Sequence, residues 1–117
     1  MALHNDFGRI GETKAVAYLE SEGYVVLDRN WRLGHKEIDI VCTDGRLIVI
    51  VEVKTRKASE EYPDELLDYR KKRNLLMAGA AYVNSKKITK ELRFDLVIVT
   101  GEDYGIQHIR EAIQVFD

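Results

Sequence analysis

"IVIVEVKTR", residues 48–56, sets an acid and a base inside an otherwise apolar, β-branched run. Such a run reads as a buried strand. Charges inside a buried strand are costly unless something pairs them, yet Glu52 and Lys54 stand two residues apart and so share one face. Asp44-Gly45, just upstream, is a strong two-residue hairpin signal between strands over 37–43 and 46–54. In that register Thr43 pairs with Arg46, Val41 with Ile48, Asp39 with Ile50, and Glu37 with Glu52. Asp39 then lies diagonal to Glu52, and three carboxylates and one ammonium group collect at one end of one sheet face. Like charges opposed across a ladder are destabilising. A divalent cation is the economical compensation, and oxygen ligands suit Mg2+ or Mn2+. The plainer reading is a wet strand end with Glu37 in solvent.

Working outward, residues 6–22 read as a helix capped by Asn5 or Asp6 and stopped at Gly23. Gly8, Glu12, Ala15, Val16 and Leu19 share one face of it, so Glu12 sits on a stripe that is otherwise small or apolar. A first strand follows over 24–32, and 55–62 is a polar loop. Pro63 suits the first turn of a second helix reaching about Val83, with a core stripe of Leu66, Tyr69, Arg73, Leu76, Ala80 and Val83. Residues 93–99 form another buried strand. The tail adds a short strand over 106–109 and a helical turn over 111–115. Helix, three strands, helix, strand and tail make an α/β fold, a mixed β-sheet flanked by helices.

The 117 residues are expected to form a single domain, 1–117, with 45% hydrophobic and 32% charged residues. One cysteine, Cys42, excludes an internal disulfide, and no Cys/His cluster supports structural zinc. No leader or bilayer-length apolar run is present, so a cytoplasmic protein without a membrane partner is expected. A net charge of −2 excludes a general polyanion binder but not a local nucleic-acid patch.

The blocks "GRIGETKAVAYLESEGYVVLDRNWR", "KEIDIV", "IVIVEVKTR" and "RFDLVIV" resemble the YraN family of small bacterial proteins over nearly the whole chain. That family is similar to the PD-(D/E)xK nuclease superfamily, particularly to Holliday junction resolvases. The resemblance implies a restriction-endonuclease-like fold and metal-dependent phosphodiester hydrolysis. By position it makes Asp39 and Glu52 the metal ligands, with the Val53 backbone carbonyl, and Lys54 the catalytic lysine. Glu12 corresponds to an additional helical acid. The chain departs from the pattern in having Ile38 where many superfamily members have proline, and Lys36-Glu37 where many relatives have Gly-Glu. The implied cofactor is Mg2+ or Mn2+ and the implied partner is nucleic acid, DNA before RNA. The resemblance leaves room for a homodimer, which would double the basic surface.

Thr55, Arg56 and Lys71 are the candidate substrate contacts, the first two because they follow the catalytic strand. The run Arg70–Arg73 spreads around its helix, so a solvated face paired with Glu65 and Asp68 competes with phosphate contact. Asp95 beside Arg93 reads as a structural ion pair or a support for the site. Trp31 reads as a core or interface residue ahead of a base-stacking platform, Cys42 as core, and His4, His35 and His108 as surface residues. The expected activity is a divalent-metal-dependent endonuclease acting on structured DNA, branched forms included, in repair or recombination. Its competitors are a catalytically silent nucleic-acid-binding module on the same fold and a protein-binding domain with remnant acids.

Overall fold

The structure, a computed structural model, describes residues 2–57, 67–101, 103 and 105–114, with side chains from residue 8 onward. Seven elements follow one another: α1 (Ala2–Ser21), β1 (Val25–Leu33), β2 (Lys36–Thr43), β3 (Ile48–Arg56), α2 (Tyr69–Lys86), β4 (Leu92–Thr100) and β5 (Gly105–Ile113). The strands form one sheet in the order β1-β2-β3-β4-β5. β3 and β4 are parallel and every other neighbouring pair is antiparallel. A parallel pair needs a crossover connection, and α2 lies on it.

The two faces of the sheet carry separate cores. Ala15 and Leu19 of α1 pack with Ile40, Cys42, Val49, Val51, Val97 and Val99. Leu75, Ala78 and Tyr82 of α2 pack on the other face with Val41, Ile48, Ile50, Phe94, Leu96 and Ile98. Alternation along β3 sends Val49 and Val51 to α1 but Ile48 and Ile50 to α2, and so carries Glu52 and Lys54 to the α2 face. Gly79 lets α2 approach closely, since a Cβ there would lie 2.8 Å from the Phe94 ring.

The Asp44-Gly45 hairpin differs from expectation. Thr43 pairs with Ile48 and Ile40 with Val51, so the loop has four residues and the register moves by two. Asp44 accounts for the difference. Its Oδ1 accepts from the N–H groups of Arg46 and Leu47 at 2.8 and 2.9 Å, curling the loop before pairing begins. A shift of two preserves the faces but moves Glu37 away from Glu52.

The helices also correct the sequence reading. α1 begins at Ala2, so Asn5 and Asp6 lie inside it rather than capping it. Gly23, at φ 95°, does end it, with its N–H donating to the Glu20 carbonyl. α2 begins at Tyr69, because the Asp68 side chain caps it by accepting the Lys71 N–H at 2.9 Å. Pro63 and Leu66 lie outside the described residues. The buried stripe is Leu75, Ala78, Gly79 and Tyr82, while Tyr69 and Arg73 are exposed. The same stripe extends back to Lys71, which therefore becomes the basic residue turned toward the sheet. At the other end of the chain, β5 runs on to Ile113 where a helical turn was expected; residues 115–117 lie outside the description.

A buried polar chain joins the last strands to α1. Arg93 Nε and Nη2 donate to Asp95 at 2.9 and 2.8 Å, and Arg93 also donates to the Tyr24 hydroxyl at 2.6 Å. A carboxylate only accepts, so His108 Nε2–H donates to Asp95 Oδ2 at 2.7 Å, leaving Nδ1 beside the Tyr18 hydroxyl at 3.0 Å. Asp95 is thus a structural ion pair, and His108, read as a surface residue, has a side chain only 5% exposed. Burial alone would raise the Asp95 pKa, but hydrogen bonds from His108, Arg93 and the Glu111 N–H outweigh it and hold the carboxyl below its ordinary range. Asp95 therefore stabilises the fold above its unfolded pKa, and this contribution is lost as pH falls through the folded one. Asp95→Ala takes the carboxylate from Arg93 and His108 and leaves the largely buried Arg93 charge uncompensated. It should cost ~3–5 kcal/mol, readable as a lowered urea midpoint at pH 7.

Candidate active site

The β2–β3 ladder is paired only as far as Ile40↔Val51. One step further the register would set Asp39 opposite Glu52. The Val53 N–H instead donates to Asp39 Oδ2 at 2.8 Å, so a side chain rather than a strand carbonyl satisfies it. Asp39 thereby sits at the mouth of the gap between the strands. Asn30, which the β1–β2 register places across from Asp39, adopts φ 51°, and the two flanking β1 residues turn to opposite faces. Arg29 reaches Glu12 of α1, whereas Trp31 packs edge-on against Tyr82 of α2 at 5.2 Å.

Glu52 is 5% exposed. Its Oε2 receives two ammonium groups, Lys54 Nζ at 3.0 Å and Lys71 Nζ at 3.2 Å. One lysine comes from the same strand and the other from the first turn of α2. Among the described residues no cationic side chain pairs with Asp39 in this way. Burial and the negative charge of Glu52 push its carboxyl up to about 7, against the Val53 hydrogen bond and Lys71, with Glu12 adding further repulsion. Two carboxylates are therefore crowded where only one is neutralised.

Glu12 lies at the edge of this group and is held away from solvent by β1. Its Oε1 accepts from Asn30 Nδ2 at 2.9 Å and from Arg29 Nη2 at 3.2 Å. Of the stripe read on α1, Ala15 and Leu19 are buried, Glu12 and Val16 half-buried, and Gly8 exposed. The neighbouring Gly11 was missed. A Cβ there would lie 2.5 Å from the Thr55 hydroxyl, so glycine lets α1 close down on the end of β3 and delivers Glu12 to the site. The signal was present in the Gly11-Glu12 pair, on the face of the helix that carries Ala15.

Thr55 accordingly packs against α1. Arg56 is half-buried, its guanidinium donating to the Thr55 carbonyl at 3.0 Å. Glu37 does not join the acids: its side chain is 60% exposed and faces Arg32 at 3.9 Å, the solvent-facing alternative left open by the sequence. Cys42 is buried in the α1-side core, where burial pushes its thiol up to about 12.

The donor chemistry fits a hard divalent cation. Asp39 and Glu52 supply two carboxylates in one crowded, partly desolvated place, and a dipositive charge would relieve their repulsion. Among the described residues no three His, Cys, Asp or Glu side chains form a ready-made cage. A site of this kind would need oxygens from the backbone, water or substrate as well.

A five-stranded mixed sheet with a helix on each face is the restriction-endonuclease-like fold. The structure of a Holliday junction resolvase from Archaeoglobus fulgidus superimposes with a TM-score of 0.54 over 92% of this chain and 76% of that one, at 16% sequence identity. The model of a family described as Uncharacterised protein family UPF0102 matches residues 11–99, and the chain belongs to that family, the YraN group. UPF0102 proteins from Bacteroides thetaiotaomicron and Flavobacterium johnsoniae are 45% and 36% identical to it. Those alignments cover 96% and 99% of this chain and 95% and 100% of the relatives.

The raised Asp39 pKa has a measurable consequence. The unfolded carboxyl titrates near 4 and the folded one near 7. Folding therefore favours the protonated form, and stability from this group, greatest below about pH 4, falls as pH rises toward 7. In chelator, Asp39→Asn should melt higher than wild type at pH 8, with the difference closing toward pH 4. The variant keeps an acceptor for the Val53 N–H. Parallel melting curves across that window would contradict the crowding.

Proposed function

We propose that this chain, acting as a single domain, is a divalent-metal-dependent endonuclease that hydrolyses phosphodiester bonds in structured DNA. The observation that carries the reading is the Asp39–Glu52 pair at the parting of β2 and β3, with Lys54 Nζ 3.0 Å from Glu52 Oε2. The fold shared with the Archaeoglobus fulgidus resolvase supports a branched substrate, since that protein is described as a Holliday junction resolvase. Among the described residues no helix is long and apolar enough to cross a membrane, in keeping with work on DNA in the cytoplasm.

Asp39, Glu52 and the Val53 carbonyl would hold Mg2+ or Mn2+, with Glu12 alongside. A bound cation of this kind supplies Lewis-acid polarisation of a phosphoryl oxygen and a lowered pKa for water. Lys54, beside Glu52 on β3, would orient or deprotonate the attacking water or donate to the charge developing on the phosphate. Lys71, now on Glu52, has a half-exposed ammonium within reach of a strand phosphate. Arg56 extends the cationic edge where β3 ends. Thr55 contributes by seating α1 and can offer its hydroxyl at the same edge. With a net charge of −2 the chain is a weak polyanion binder alone, and a homodimer would double these contacts.

One feature favours a second reading, a catalytically silent nucleic-acid-binding module. Lys54 and Lys71 already neutralise Glu52, as a fold that had given up its metal would require.

Cleavage separates the two. Labelled four-way junctions, flaps, duplexes and single strands are incubated with Mg2+, Mn2+ or EDTA, beside Lys54→Ala protein purified identically. Cutting is expected only with metal, at least ~100-fold slower in the variant, and fastest on a branched substrate. No cutting of any substrate, or equal cutting by the variant, would overturn the enzymatic reading.

A further inference from the structure

Beside the acids, on the α2 face, lies a cleft of about 360 Å3 lined by His35, Lys36, Glu37, Lys71, Asn74, Leu75 and Met77. We infer that this cleft is a nucleotide subsite, taking one unpaired nucleotide of the strand that is cut. The inference rests on the nuclease reading for its biological sense, though not for its test.

Position comes first. Lys71 is both a wall of the cleft and a partner of Glu52 at 3.2 Å. A ligand in the cleft therefore ends against the residue that would hold the metal. The next phosphate along a strand seated there falls toward Asp39, Glu52 and Lys54.

The lining has the mixed chemistry a nucleotide requires. Leu75, 4% exposed, and Met77, 47% exposed, offer apolar surface to one face of a base. Asn74 is exposed on the same helix, and its amide can both donate to and accept from a base edge. Lys36 and Lys71 supply ammonium groups for a phosphate, with His35 between strand and turn. Glu37 can only accept, so it repels phosphate and suits an exocyclic amine. That orders the cleft, with the phosphate toward Lys71 and the base toward Glu37. Free phosphate alone would have no use for Met77 and Leu75.

Size points the same way. The volume lies at the small end of ligand sites, roughly 300–1,000 Å3, enough for one nucleotide and too little for a base pair in a duplex. The substrate class follows: DNA whose strand is locally unpaired beside the cut, as at a branch, bulge or gap.

The test uses the full chain in EDTA, so that binding is read without cleavage. Anisotropy compares a labelled duplex containing a three-nucleotide bulge with its fully paired counterpart. Wild type should prefer the bulged probe by about tenfold, the scale of one base stacking on protein. Met77→Glu, which places a carboxylate in the cleft, should abolish that preference while leaving Mn2+ affinity and the melting midpoint unchanged. Asn84→Glu adds the same charge at an exposed position of α2 outside the cleft and should leave the preference intact. Asn74→Ala, a milder truncation, should reduce it about threefold, as for one lost hydrogen bond. Equal binding of the two probes by wild type, no binding of either, or an unchanged preference in both Met77→Glu and Asn74→Ala would overturn the inference. A bulge preference in a protein that cuts nothing would sink the nuclease reading and leave the subsite standing.

Discussion

Two carboxylates at one gap govern this molecule. Where β2 and β3 stop pairing, Asp39 bonds to the Val53 N–H and keeps the parted strand satisfied. The same bond holds Asp39, half-buried, in the field of buried Glu52, and two such neighbouring like charges cannot both ionise freely. The rest of the site follows from managing that repulsion. Lys54 and Lys71 converge on Glu52 from β3 and α2, and Arg29 and Asn30 restrain Glu12. The sheet tolerates the arrangement because its two cores are anchored elsewhere, by α1 along Ala15 and Leu19 and by α2 along Leu75, Ala78 and Tyr82.

The fold thus holds two polar clusters of opposite character. Around Asp95 every partner is present: two Arg93 nitrogens, the His108 ring and a backbone N–H satisfy one carboxylate. Around Asp39 the balance is left open, with an acid held above its ordinary pKa and no cationic side chain paired with it among the described residues. The first arrangement ties β4 and β5 to α1 and to Tyr24, just ahead of β1. The second has the unfinished electrostatics expected of a functional site.

Much of this was legible in the residues. The β-branched run with Glu52 and Lys54 placed β3, and alternation placed both charges on one face whatever the register. That is why a two-residue error in the hairpin left Asp39 near Glu52 while expelling Glu37. The error itself came from Asp44, whose side chain binds two backbone N–H groups that a tight turn would have used otherwise. The α2 stripe was read with Tyr69 and Arg73 inward, whereas the helix capped by Asp68 turns Leu75, Ala78 and Tyr82 inward and Lys71, already a candidate for substrate contact, toward Glu52. His108 was illegible because its partner Asp95 is thirteen residues away on a neighbouring strand. Gly11 carried its meaning only once α1 was seen lying on Thr55.

The most direct measurement of the central claim is calorimetric titration of Mn2+ into the wild-type protein and into Asp39→Ala and Glu52→Gln at pH 8. If the crowded pair is a cation site, wild type binds the ion with a saturable isotherm and each variant loses at least ~10-fold in affinity, in line with the loss of one anionic ligand. Absence of binding in the wild type, or the same isotherm in all three proteins, would contradict the account. The two acids would then be a cost of the fold and not the centre of its chemistry.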